Sequence, residues 1–158
     1  MIVILHNIRS LYNVGSIFRT ADGAGIEKIY LRGYTPSPKD KFGKYRAQLT
    51  KVSLGAERSV KWEKVNATSV LIKKLKKDGY KIFAVEQSKK SIPYYQLKTK
   101  NLKLKTGLIL GNEIIGLPKT ILKLADKILE IPMKGKKESL NVSVAFGIVA
   151  FHFANLLK

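Results

Sequence analysis

Short apolar runs alternate along the chain with stretches whose apolar residues recur every three or four positions. The runs at 2–5, 28–31, 81–85, 107–110 and 127–131 are rich in Ile, Leu and Val and lack the polar alternation of a half-exposed strand. They predict strands buried on both faces. Residues 14–24, 68–77 and 119–125 have helical spacing, and 142–157 predicts a closing helix. This alternation predicts an α/β fold, with a mostly parallel sheet flanked by helices. No repeat, linker or break in composition divides residues 1–158, so one domain is expected.

Charge narrows the range of partners. The chain has 158 residues, 45% of them hydrophobic, with 30 Lys and Arg against 11 Asp and Glu, a formal charge of +19. A domain of this size hides roughly 70% of its unfolded surface and needs no staples. Such an excess of cations points to a polyanion, nucleic acid first and an anionic membrane surface second. The absence of cysteine excludes disulfides, thiolate-bound zinc and thiol catalysis. With His6 and His152 the only histidines, no metal site is expected. The apolar run at 2–5 is too short for a signal-peptide core and lacks a basic leader, and 142–157 is too short and too interrupted to span a membrane. A cytoplasmic protein is the expectation.

Two regions could grip RNA. Residues 35–55 hold Pro36, Pro38, Gly43 and five cations, and predict an irregular, mobile basic loop in which Tyr34, Phe42 and Tyr45 could stack on bases. Residues 61–105 hold 13 lysines against Glu63, Asp78 and Glu86. Either could equally be a solvated surface. Lysines outnumber arginines 25 to 5, which suits phosphate attraction better than bidentate base reading.

Three stretches place glycines and polar residues at strand ends, where open α/β sheets bind ligands. In the first, 7–25, Asn13 is positioned to cap a helix whose apolar side is Val14, Ile17, Phe18 and Ala21, with Arg19 on the polar side. Read alone, Asn13 is a cap and Arg19 a surface ion-pair former. The second, 108–118, runs from a strand into a turn with Gly111, Glu113 and Gly116, and Pro118 opens a helix. It is neither a dinucleotide fingerprint nor a P-loop. The third, 131–145, carries Ile131-Pro132-Met133-Lys134-Gly135 and then Ser139-Leu140-Asn141-Val142-Ser143, with Ser139 or Asn141 as a helix cap.

In this order, the three stretches resemble the motifs of the SpoU (TrmH-like) RNA 2′-O-ribose methyltransferases of the SPOUT superfamily. Asn13, Gly15, Arg19 and Ala21 match the first, Gly111, Glu113 and Gly116 the second, and Ile131 to Gly135 with Ser139 to Ser143 the third. The resemblance spans residues 2 to about 155. It implies an α/β knot with a C-terminal trefoil knot, which chain-connection rules would not predict. It implies S-adenosylmethionine as cofactor, held against Val85, Gly111, Ile131, Met133 and Leu140. It implies Arg19 as the central catalytic residue, supported by Asn13, Glu113, Ser139 and Asn141. A guanidinium is effectively always protonated, so Arg19 is expected to clamp the target phosphate rather than act as base.

The resemblance further implies a homodimer, with the first-motif arginine reaching the partner's site. The last helix fits, because its apolar residues wrap around more of it than one buried face needs. Burial inside one subunit is the alternative. Beginning directly at the first strand, the chain is similar to members without an appended RNA-binding domain, with tRNA expected ahead of ribosomal RNA. A non-catalytic RNA-binding module of the same fold would explain the charge but not the site residues. A dinucleotide enzyme would need a glycine fingerprint that is missing.

Overall fold

Ile2–His6 (β1) is buried at all five positions, as a strand covered on both faces must be. The computed structural model describes residues 1–97 and 105–156. Lys98, Lys100 and Lys103 of the lysine-rich stretch, and Leu157 of the expected last helix, lie outside the described residues. In chain order follow Leu11–Gly23 (α1), Lys28–Arg32 (β2), Ala47–Ser53 (α2), Ala56–Ser59 (α3), Lys61–Val65 (β3), Thr68–Lys77 (α4) and Lys81–Val85 (β4). Then come Ile92–Pro93 (β5), Thr106–Leu110 (β6), Lys119–Leu122 (α5), Lys127–Glu130 (β7) and Val142–Leu156 (α6). The strands form one seven-stranded sheet in the order β3-β2-β1-β6-β4-β7-β5. Every neighbouring pair is parallel.

Period-two alternation divides the sheet's side chains between two cores. Val3, Leu5, Ile29, Leu31, Leu108 and Leu110 meet Val14, Ile17 and Phe18 of α1 and Phe146, Val149 and Phe153 of α6. Ile2, Ile4, Ile82, Ala84 and Ile109 meet Ile72 and Leu75 of α4 and Ile121 of α5. The result is the expected α/β architecture, three layers with helices on both faces. No helix among the described residues is long and apolar enough to cross a membrane.

Several boundaries differ from the expectation. α1 begins at Leu11 rather than 14, because the Ser10 hydroxyl accepts a hydrogen bond from the Asn13 N–H. Ser10 is the cap, and Asn13 sits one turn inside with its side chain free for other work. The 35–55 stretch is more regular than an irregular loop. It contains α2, which crosses α1 so closely that a Cβ on Gly15 would lie 2.6 Å from the Leu49 carbonyl oxygen. α5 is shorter than 119–125 because residues beyond Leu122 tighten into turns, with Leu124 donating to Ile121 and Ala125 to Leu122. β7 lies between β4 and β5, although those two strands are joined by the short 86–91 connection.

α6 buries Val142, Phe146, Val149, Ala150 and Phe153. Its surplus apolar side, Val144, Ile148 and Phe151, is half-buried or exposed. That side adjoins α1, with Gly147 against Thr20 and Gly23 against the Phe151 ring.

Candidate active site

The site is built where β1, β4, β6 and β7 end and their connections begin. After β6 the chain turns through Gly111–Gly116, closed by a hydrogen bond from the Gly116 N–H to the Asn112 carbonyl, 3.0 Å. Gly111 has no room for a side chain, since a Cβ there would lie 2.6 Å from both the Gly116 carbonyl carbon and the Leu117 nitrogen. Asn112 is buried and stiffens the turn from inside, its Oδ1 accepting from the N–H groups of Ile114 and Ile115 at 2.9 and 3.0 Å.

Glu113 reaches from this turn to the start of α1. Its carboxylate accepts hydrogen bonds from the Arg9 N–H (3.2 and 3.1 Å), the Ser10 N–H (3.2 Å) and the Asn13 side-chain amide (3.1 Å). Burial pushes the Glu113 pKa up, but the donors Arg9, Glu113's own N–H, Asn13 and Ser10 outweigh it and hold the carboxyl below its ordinary value. Asn13 in turn accepts from the Asn141 amide through its Oδ1 at 3.1 Å. The Asn141 Oδ1 accepts from the Ser143 N–H at 2.9 Å and so caps α6. Glu113, Asn13 and Asn141, drawn from the three motif stretches, thus form one hydrogen-bonded chain. Capping and site assembly coexist in Asn141.

Beside this chain opens a cleft lined by Val85, Gly111, Ile131, Met133 and Leu140, all five expected cofactor contacts, and by Glu113 and Ser139. Ser139 is exposed at its rim and makes no hydrogen bond among the described residues. Arg19 is elsewhere. It is exposed on α1 and lines no part of the cleft, and its side chain has no hydrogen bond or ion pair among the described residues.

Sequence reasoning missed three participants. Glu86 follows β4 and binds the Leu117 N–H (2.8 Å) and the Gln87 N–H (3.0 Å), tying the 111–117 turn to the neighbouring strand. Glu130 ends β7 and accepts from the Ser91 hydroxyl at 2.5 Å. Asn112 donates to the Asn7 carbonyl and to the Tyr34 hydroxyl, both at 2.9 Å. The available signals were an acid directly after a strand and an Asn opening a turn, where its side chain caps N–H groups two and three residues on.

The sequence model of the SpoU rRNA Methylase family matches residues 1–151. The chain belongs to the SpoU methylase family. Relatives of this SpoU chain include the tRNA (guanosine(18)-2′-O)-methyltransferase of Aquifex aeolicus, 32% identical over 152 residues, covering 96% of this chain and 67% of that one. They also include a 23S rRNA (guanosine-2′-O-)-methyltransferase of Neisseria meningitidis, 32% identical over 149 residues, covering 94% of this chain and 56% of that one. The AdoMet-bound rRNA methyltransferase of Sinorhizobium meliloti superposes with a TM-score of 0.87 at 29% identity, covering 99% of this chain and 56% of that one. The chain therefore spans little more than half the length of these rRNA-modifying relatives.

Proposed function

We propose that the chain transfers a methyl group from S-adenosylmethionine to a ribose 2′-hydroxyl of RNA. Charge in the cleft carries the reading. In a chain of formal charge +19, the cleft contains Glu86, Glu113 and Glu130 and, among the described residues, no lysine or arginine. That lining repels a pyrophosphate and suits a net cationic ligand, which S-adenosylmethionine is. Apolar walls at Val85, Ile131, Met133 and Leu140 suit an adenine ring. The match of residues 1–151 to the SpoU family agrees, and the C-terminal trefoil knot expected of that family is part of the reading.

When bound, the cofactor supplies a methyl group that is already activated. The protein's share is to hold the hydroxyl, help remove its proton and exclude water. In this reading Glu113, Asn13 and Asn141 set the entry to the cleft, and Ser139 contacts the ribose at the rim. Arg19 would clamp the phosphate beside the target ribose, and the hydroxyl proton would leave with the help of that phosphate or a polar neighbour. The S–CH3 bond is exchanged for O–CH3, and a neutral thioether is left. Arg19 lies away from its own cleft, which agrees with a homodimer in which it completes the partner's site. The exposed Val144 and Phe151 on α6, beside the outer face of α1, are the apolar surface for that contact.

Relatives act on both tRNA and ribosomal RNA. We take tRNA as the first class of RNA to test. Transfer of tritium from labelled S-adenosylmethionine to cellular RNA, with nucleoside analysis for 2′-O-methyl products, tests the proposal. Tight RNA binding with no transfer to any fraction would overturn it in favour of a binding module.

A further inference from the structure

On the far side of Asn112 from the cofactor cleft lies a second depression, lined by Asn7, Arg32, Gly33, Tyr34, Lys64, Val65 and Asn66. Its character is opposite to that of the first. Among the described residues it holds two cations and no carboxylate, and Arg46 is near enough to Lys64 for its charge to be felt there. Neither Arg32, Lys64 nor Arg46 has an ion-pair partner among the described residues. The Nε atoms of Arg32 and Arg46 are shielded from solvent and have no acceptor. Of the two arginines only Arg32 lines the depression, and a guanidinium there whose charge no carboxylate answers is the condition in which an anion binds.

The depression is also specifically built. Asn7 follows β1 in the left-handed region, φ 61°, a conformation that costs energy and gathers at functional sites. There its Oδ1 accepts from Arg32 Nη1 at 2.9 Å and fixes the guanidinium. The same Oδ1 lies 1.9 Å from where a Cβ on residue 33 would be, so only glycine fits there. Lys64 Nζ donates to the carbonyls of Gly33 (2.8 Å) and Thr35 (2.5 Å), holding the wall that carries Tyr34. Tyr34 is 54% exposed, yet its hydroxyl is tied to Asn112, so its ring is held in place and open to solvent. Of the other aromatics in the basic segment, Tyr45 already contacts Lys39 and Arg58, and Phe42 contacts Lys41.

Asn112 joins the two depressions. It lines the cofactor cleft and donates to both Asn7 and Tyr34, which line the second. We infer that this second depression seats the RNA strand next to the target nucleotide, with a phosphodiester on Arg32 and a base stacked on Tyr34. The inference rests on the proposed methyltransferase reading and adds to it a seat for the flanking nucleotide. It separates the tasks of two charged surfaces, an acidic cleft for the methyl donor and a basic one for the acceptor strand, with one asparagine between them.

The test is binding of a fluorescently labelled mixed-sequence RNA oligonucleotide across a salt series, measured by anisotropy on the full chain. Arg32→Gln should weaken binding severalfold and reduce the slope of log K against log[salt] by about 0.7, one phosphate's share for a single strand. Arg32→Lys should keep the slope, and Lys73→Gln, which removes an exposed charge on α4, should change it less than Arg32→Gln. Tyr34→Ala should lose about tenfold in affinity at unchanged slope, and Tyr34→Phe, which keeps the ring and loses only the Asn112 bond that holds it, should lose clearly less. Calorimetric affinity for S-adenosylmethionine should be the same in all. An unchanged slope in Arg32→Gln, an equal loss in Lys73→Gln, or an equal loss in Tyr34→Phe would each overturn the inference. Wild type that binds RNA with this pattern but transfers no methyl would instead overturn the proposed reaction.

Discussion

Replacing Glu113 by Gln removes a charge with almost no change of volume, and so isolates what that charge does. Three donors converge on it at 3.1–3.2 Å, the N–H groups of Arg9 and Ser10 and the amide of Asn13. A hydrogen bond to a shielded charge contributes about 1.5–3 kcal/mol, but Glu113 is solvent-exposed, and screening brings the whole set down to about 1–2 kcal/mol. Part of that, about 0.3–1 kcal/mol, is the preference of the α1 N-terminus for a negative charge. Glu113→Gln should therefore melt about 2–8 °C below wild type at neutral pH. The acid dependence is diagnostic. Hydrogen bonds hold the folded carboxyl below its ordinary value of 4.5, so the stabilisation is complete above that pH and is lost as pH falls through the folded value. Urea unfolding at matched protein concentration, at neutral pH and near pH ~3, should show the wild-type advantage shrink in acid. An advantage that persists in acid would refute the electrostatic account and leave only packing.

Arg19→Ala should abolish methyl transfer while leaving S-adenosylmethionine affinity intact in calorimetry, because the residue lies outside the cleft. Gly111→Ala should do the reverse and lose cofactor affinity, since its Cβ would collide with Gly116 and Leu117 backbone at 2.6 Å. Mixing these two inactive variants should restore about a quarter of wild-type activity if each site takes Arg19 from the partner, because half of randomly paired dimers are mixed and each has one intact site. Phe151→Asp, at a position 46% exposed, should give a folded monomer on sedimentation and lose transfer. Phe153→Ala should cost about 3–5 kcal/mol in urea unfolding, as the ring is fully buried and packs 5.3 Å from Phe83.

The parallel strands were legible because burial on both faces writes itself as continuous Ile, Leu and Val. β3 was not, since Lys61–Val65 is an edge strand in which three of five residues are charged and the two apolar ones, Trp62 and Val65, fall out of period. β5 is only Ile92–Pro93, too short for any periodicity. α2 was hidden among prolines, glycine and lysines that read locally as loop, and only its crossing with α1 at Gly15 explains it. The motif stretches located the site because chemistry there needs particular residues in a particular order. What they could not convey was its wiring, in which Asn13 serves Glu113 and Asn141 rather than the helix end. They did place Arg19 on the polar side of α1, where it is exposed, but could not give the partition formed by Asn112.

The place of β7 between β4 and β5 has a consequence for how the protein is made. Both walls of the cofactor cleft depend on it, one from the end of β4 and the other from residues 129–133 that extend the inserted strand. During synthesis β4 and β5 have no strand to join them until about the last fifth of the sequence is being made, because each pairs with β7. A nascent or truncated chain ending before residue 127 would have most of its sheet and no place for the methyl donor. Binding of the methyl donor would therefore report that β7 has been inserted.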